Sequence, residues 1–304
     1  MRNPWNPILP EPLADNPNKI QIDEHRYVRL HKVHGNEQDI LDAARICYDG
    51  DSVVKSDEQN QGLINHLLRN NHTTPFEQPA MVFYVSVDMP TATQMLRHRM
   101  AKVNGVSARY VVMKPRYYIP KQFRYQNKTG NMQSGAGYVG ALTQSARAAQ
   151  TQNAYNTARY HYDDMITNGY EQGQARLVLP QSQVTQYVYQ MDINNLMRFL
   201  FLRNDHHAQG EIREVAASML YFFRREFPMC YSAWLDYIWR QSRFSGQATE
   251  VLRQIINDLW ESQVEGLFTP GIQTPDELLK NYFAGFKGDE LQTILNQLTP
   301  EANS

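Results

Sequence analysis

Between Asp88 and Asp163 the chain carries no Asp or Glu for 74 residues, where its overall density of acids would place about seven. The same interval holds eleven cations: Arg97, Arg99, Lys102, Arg109, Lys114, Arg116, Lys121, Arg124, Lys128, Arg147 and Arg159. Such segregation creates a positive field. It admits a solvated basic face, a groove for nucleic acid along residues 89–162, or a surface built to hold a smaller anion. The whole chain is near neutral, with 30 basic and 31 acidic residues, which argues against a general nucleic-acid coat.

At 304 residues and 42% hydrophobic content, the chain can bury a core in one large domain or two small ones. No run approaches the ~18 apolar residues of a membrane helix, and the Pro- and Asn-rich N-terminus lacks a signal peptide's apolar segment. Two cysteines, Cys47 and Cys230, make neither a disulfide framework nor a metal knot, so a cytoplasmic location is expected.

Residues 1–20 read as an irregular arm, and Tyr27–Val33 as a strand. Asn36 can cap a helix to about Cys47, and Asp57 the next, with Ile64, Leu67 and Leu68 as its buried stripe. That helix ends in a polar turn, His72 to Gln78, presenting His72, Thr74 and Glu77; Pro75 disfavours helix at Thr74. Ala80–Asp88 reads as a mostly buried strand, followed by a short helix from Pro90 through Leu96.

Gln94 and Arg97 share a face of that short helix. Arg97-His98-Arg99 sits at its end, where successive residues point about 100° apart and so suit a large, extended anion. Asn104 and Gly105 read as a turn, and Ser107 to Tyr118 as extended chain, with Ser107, Arg109 and Val111 on one side and Ala108 and Tyr110 on the other. Ser107 is either a loop serine or a nucleophile, although no GxSxG elbow accompanies it. A basic loop at 121–134 precedes a long helix to about Asn168, and Gln183–Gln190 alternates as a strand does.

The second informative stretch is Asp192–Arg213. Asp192 can cap a helix with Ile193, Leu196, Met197 and Leu200 inward and Asn194 and Arg198 on the other face. Arg203 falls on the apolar side, where a guanidinium is expensive without a partner such as a carboxylate or a ligand. A further helix starts near Ala208. Asp205, His207 and Glu211 could ligate a metal, but without HExxH or a third committed ligand no metal is expected. Cys230 shows no base beside it in sequence. Gln247–Phe268, a short helix opened by Thr274, and Asp289–Leu298 read as helical completion.

Four motifs, in order, resemble the flavin-dependent thymidylate synthase family. They are His72-Thr73-Thr74-Pro75-Phe76-Glu77; Arg97-His98-Arg99 followed after seven residues by Ser107; Arg176-Leu177-Val178-Leu179-Pro180; and Leu202 to Glu211. The resemblance covers about residues 26 to 240. It implies an α+β fold, a mainly antiparallel sheet flanked by long helices, assembled as a homotetramer with shared active sites. The expected layout is an arm at 1–25, a catalytic domain at 26–245 and a helical extension at 246–304.

It also implies an activity: methylation of dUMP to dTMP, with methylene-tetrahydrofolate as carbon donor and NADPH reducing FAD. By the resemblance, Gln94, Arg97, Gly105, Ser107, Ala108, Arg109, Arg176 and Arg203 bind dUMP. His72, Thr74, Glu77, Arg97, His98, Arg99, Asn104, Asp192, Asn194, Arg198 and His207 hold FAD. Arg203 polarises the uracil, while Ser107 is favoured as a hydrogen-bond donor over a nucleophile. Neither cysteine is required, because the flavin carries the redox chemistry. Gly105 stands where many relatives carry Glu or Gln, which keeps open the same chemistry on another pyrimidine nucleotide. Arg198 adds a charge, and Gln78 replaces a common His.

Overall fold

The computed structural model describes residues 9–48, 55–128, 135, 137–241 and 245–261, with side chains described to 254. The chain divides into two compact units, 1–240 and 241–304.

The first unit is built on a five-stranded sheet in the order β1-β2-β3-β5-β4, with every neighbouring pair antiparallel. The strands are β1 (Lys19–Gln21), β2 (Tyr27–His34), β3 (Ala80–Asp88), β4 (Lys102–Gly105) and β5 (Val184–Asp192). β3 and β5 form its centre and pair over nine residues, from Ala80 opposite Asp192 to Asp88 opposite Val184. Their alternation sends Met81, Phe83, Val85, Val87, Tyr189 and Met191 to one face, all but fully buried. Strand β1 takes up Lys19 and Ile20, which read as irregular arm; Ile20 is buried against the core.

Helices cover that face. α1 (Glu37–Arg45) is opened by a capping box between Asn36 and Asp39. α2 (Asp57–Arg69) is capped by Ser56, one residue before the expected Asp57, because Ser56 and Gln59 form the reciprocal pair. α3 (Met89–Leu96) follows β3, and α6 (Ile193–Asn204) follows β5. α7 (Gly210–Glu226) lies against β2, with Phe222 on Phe83 at 6.3 Å between ring centroids. It begins two residues after the expected Ala208, because Asp205 to Ala208 closes a turn of its own. α8 (Pro228–Trp234) is tied to α6 by Trp234 Nε1 donating to the Met197 carbonyl at 3.1 Å.

α4 (Ala141–Thr167) behaves differently. It is 27 residues long, and only Tyr162 is buried. Tyr162, Met113 and Ala175, the last residue of α5 (Gln172–Ala175), form a small second core that Ala108 and Leu179 also touch. In the second unit, α9 (Gly246–Glu261) is capped by Ser245, whose Oγ accepts from the Ala248 N–H at 3.2 Å. The rest of the expected Gln247–Phe268 helix and the elements at Thr274 and Asp289–Leu298 lie outside the described residues. Among the described residues no helix is long and apolar enough to cross a membrane.

Candidate active site

Two strand-to-helix junctions use the same device. Asp88 caps α3 through the Thr91 N–H at 3.0 Å and hydroxyl at 2.9 Å. Asp192 caps α6 through the Asn195 N–H at 2.8 Å. Because β3 and β5 are antiparallel, the helices leave opposite ends of the sheet and meet near their C-termini. There the His98 ring stands edge-on to Phe199 at 4.8 Å. Tyr189 Oη donates to the Met95 carbonyl at 3.0 Å and fixes the end of α3 to the sheet.

Arg203 reaches this junction. Its Nε donates to His98 Nε2 at 2.9 Å, and its Nη2 points at the Gln94 carbonyl 3.4 Å away. The sequence left open a carboxylate partner for Arg203; no carboxylate pairs with it among the described residues, and an imidazole and a helix-end carbonyl hold it instead. Burial lowers the Arg203 pKa; Tyr189 opposes that and Arg97 adds to it. Burial, then the charges of Arg203 and Arg198, lower His98 to about 4, so its ring is neutral. An acceptor Nε2 places the remaining proton on Nδ1.

At the other end of α6, against its first turn, lies the turn holding Thr74, a 3-10 turn over Thr74–Glu77. Pro75 and Phe76 are buried beneath it, while His72, Thr74 and Glu77 are all exposed. Glu77 Oε1 accepts from Asn194 Nδ2 at 3.2 Å. Asn194 is therefore buried, unlike the exposed Arg198 one turn on, with which the sequence grouped it. Gln94 Nε2 donates to Gln209 Oε1 at 2.6 Å, adding a residue that was not singled out although it lies within a quoted motif.

A second group gathers at the small core. Asn104 and Gly105 do not turn: they belong to β4 and pair with Val188 and Tyr187. A Cβ on Gly105 would run into the Tyr187 ring, which accounts for the glycine. Nor is Ser107 to Tyr118 uniformly extended. The Tyr110 and Val111 N–H groups both donate to the Ser107 carbonyl, at 3.0 and 3.2 Å, so Ser107 opens a turn. Ser107 Oγ accepts from Arg109 Nε at 3.3 Å, a cation rather than a base, which argues against a nucleophilic Ser107. Ala108 and Ala175 touch the same core, which brings Arg109 and the exposed Arg176 to one side of the molecule. Among the described residues, no hydrogen bond or ion pair joins this group to the Arg203 junction.

The remaining candidates separate. His207 Nδ1 lies 2.7 Å from Asp205, and Asp205, His206 and His207 form the one set of three close metal-type ligands among the described residues. Glu211 lies elsewhere, holding Arg124 at 2.6 and 2.8 Å and Tyr118 at 3.0 Å. It clamps the basic loop to α7 and is not available to that set. Cys230 has a neighbour that its sequence surroundings did not show. Cys230 is buried, and its N–H donates to Glu37 Oε1 at 2.8 Å, so a carboxylate does stand beside it. Burial and Glu37 push the thiol well up, which makes it a poor nucleophile.

Two groups of arginine stand apart. Arg26, Arg124, Arg159 and Arg225 are paired with carboxylates. Arg97, Arg99, Arg109, Arg176, Arg198 and Arg203 have no carboxylate partner among the described residues. These six are the ones the sequence assigned to ligands, although Arg29, Arg45, Arg116, Arg147 and Arg224 lack a carboxylate partner among those residues as well; a pyrophosphate-bearing flavin and a nucleotide phosphate suit cations left unneutralised.

Residues 29–229 match the model of the thymidylate synthase complementing protein family. The chain belongs to this family. Relatives carrying the description flavin-dependent thymidylate synthase include one from Wolbachia pipientis, 33% identical over 77% of this chain and 82% of the relative. Another, from Thermus thermophilus, is 30% identical over 89% of this chain and 98% of its own. Among solved structures, a UMP/dUMP methylase from Streptomyces cacaoi bound with 5-Br dUMP superposes with a TM-score of 0.66 at 26% identity. It covers 72% of this chain and 98% of its own. The same protein bound with 5-Br UMP gives a TM-score of 0.64 at 25% identity over 71% and 96%. The α+β architecture on an antiparallel sheet is thus shared with that methylase.

Proposed function

We propose that this protein is a flavin-dependent thymidylate synthase that methylates dUMP to dTMP. The observation that carries the reading is Arg203, a half-buried guanidinium with no carboxylate partner among the described residues at the meeting of α3 and α6, within motifs the family shares. A cation fixed in a partly dry site stabilises negative charge developing on a ligand better than one in water. Charge drawn toward uracil O2 and N3 raises nucleophilicity at C5. Arg203 is therefore the residue that activates the base.

FAD, when bound, supplies the redox chemistry, with NADPH as reductant and methylene-tetrahydrofolate as carbon donor. Arg97, Arg99, Arg198, His72, Thr74, Glu77, Asn104, Asp192, Asn194, His98 and His207 would hold it. Gln94, Arg97, Gly105, Ser107, Ala108, Arg109 and Arg176 would bind dUMP, with Ser107 donating a hydrogen bond. Among the described residues, Ser107, Arg109 and Arg176 make no hydrogen bond to the Arg203 junction in one chain, which favours a site shared between copies. The long exposed face of α4, with Leu142 90% and Tyr160 69% exposed, supports the same assembly, a homotetramer.

A second reading is favoured by one observation: the superposing methylase acts on UMP as well as dUMP by its description. Purified protein supplied with FAD, NADPH and methylene-tetrahydrofolate is to be offered dUMP, UMP and dCMP separately, with products identified by mass spectrometry. The proposal expects a gain of one methyl on dUMP. Consumption of UMP or dCMP with dUMP inert would replace it.

A further inference from the structure

Arg203 is oriented before any ligand arrives. One edge of its guanidinium, Nε and Nη2, is occupied by His98 Nε2 at 2.9 Å and the Gln94 carbonyl at 3.4 Å. Those are its two hydrogen-bond partners among the described residues. The Nη1–Nη2 edge is left as a planar pair of N–H donors. Such a fork matches two acceptors in one plane, as uracil O2 and N3 become once negative charge develops at N3.

The acceptor is itself fixed. The His98 backbone N–H donates to the Met95 carbonyl at 3.0 Å, and its ring is wedged edge-on against Phe199. Phe199 belongs to the same helix as Arg203 and is fully buried. An acceptor at this point lets the guanidinium rotate only by giving up a hydrogen bond. A protonated imidazole would turn the acceptor into a donor and repel Arg203.

Resting on the function proposed above, we propose that His98 is a positioning residue for Arg203: by accepting the Nε–H, it sets the plane of the guanidinium and turns the free edge toward the pyrimidine. This differs from a role in holding flavin, which would act on cofactor affinity. Glutamine can place Oε1 where His98 Nε2 stands, whereas alanine cannot.

The test compares His98→Gln and His98→Ala with wild type at saturating FAD, measuring kcat, KM for dUMP and Kd for FAD. Alongside, a thermal double-mutant cycle of His98→Ala with Arg203→Ala is run on cofactor-free protein. The inference expects His98→Ala to lower kcat by roughly 10–100-fold with saturating FAD present, as loss of a supporting residue does. It expects His98→Gln to recover most of that loss. In the cycle, the double variant should lose less Tm than the sum of the singles, by about 2 °C or more, as contacting residues do. Equal kcat for the two His98 variants, full restoration of His98→Ala by excess FAD, or additive Tm losses would each overturn it. An inactive wild type overturns the functional reading and the inference with it; an active wild type with kcat unchanged in His98→Ala overturns the inference alone.

Discussion

The ring of Tyr187 occupies the space in which Gly105 would carry a side chain, across the β4–β5 pairing. The missing side chain leaves no empty space at this position. Gly105 is one half of a packed cross-strand pair, in which an aromatic ring covers an edge-strand glycine.

Gly105→Ala is accordingly expected to destabilise the protein by about 1–3 kcal/mol, the usual cost of overpacking. Tyr187→Ala in the same chain should relieve most of the clash, so the two changes are non-additive. Urea denaturation of both singles and the double variant measures this, and strict additivity would contradict the packing.

Arg203→Ala is expected to lower kcat by at least about 100-fold, as loss of a transition-state donor does. Bound FAD should change little, and Tm should fall only by what the hydrogen bonds to His98 and the Gln94 carbonyl contribute, because no ion pair is broken. Turnover assays and the flavin content of the purified variant check both. Loss of the fold would make Arg203 structural instead.

Acid should act in two windows. His98 has a folded pKa of about 4, below its unfolded value. Its contribution to stability is full above about pH 6.5 and lost as pH falls toward 4. Burial pushes the Asp23 and Glu211 carboxyls up, but bonds from Arg26 and Arg124 outweigh it and leave both lowered. Their contribution is present above the unfolded carboxylate range, about pH 4, and is lost below it. Chemical denaturation between pH 3 and 8 should show both declines. His98→Gln should remove its share of the first and leave the second; an unchanged upper slope would contradict the neutral, half-buried imidazole.

Leu142→Asp and Tyr160→Asp should lower the oligomeric mass without unfolding the chain, since both side chains are largely exposed in one copy. Light scattering coupled to size exclusion reads the mass, and circular dichroism reads the fold. A wild-type monomer would remove the basis for a shared site.

The parts of this fold legible in the sequence were those set by local rules. Pro90 and Asp192 declare their helices because a first-turn proline and a capping carboxylate act within a few residues. Ala80–Asp88 declares a central strand because both its faces are covered over most of its length. What stayed hidden depended on partners distant in sequence. Asn104-Gly105 looks like a turn until Tyr187 lies over it, and only the paired strand supplies that ring. Arg203 looked like a charge in need of a carboxylate or a ligand, and within the chain its partner is an imidazole 105 residues away. Glu211 sat among metal-type neighbours in sequence but turned to Arg124. The arginines of the acid-free stretch were readable as anion holders. Which of them would be neutralised internally, as Arg124 and Arg159 are, required the fold.

The central claim is tested most directly by the flavin spectrum during turnover. Protein reconstituted with FAD is reduced by NADPH without air, and methylene-tetrahydrofolate and dUMP are then added singly and together. The account predicts a yellow protein that bleaches on reduction and regains its colour only when both are present, with one dTMP formed per flavin reoxidised. Failure to bind FAD, or reoxidation without dTMP, would contradict it.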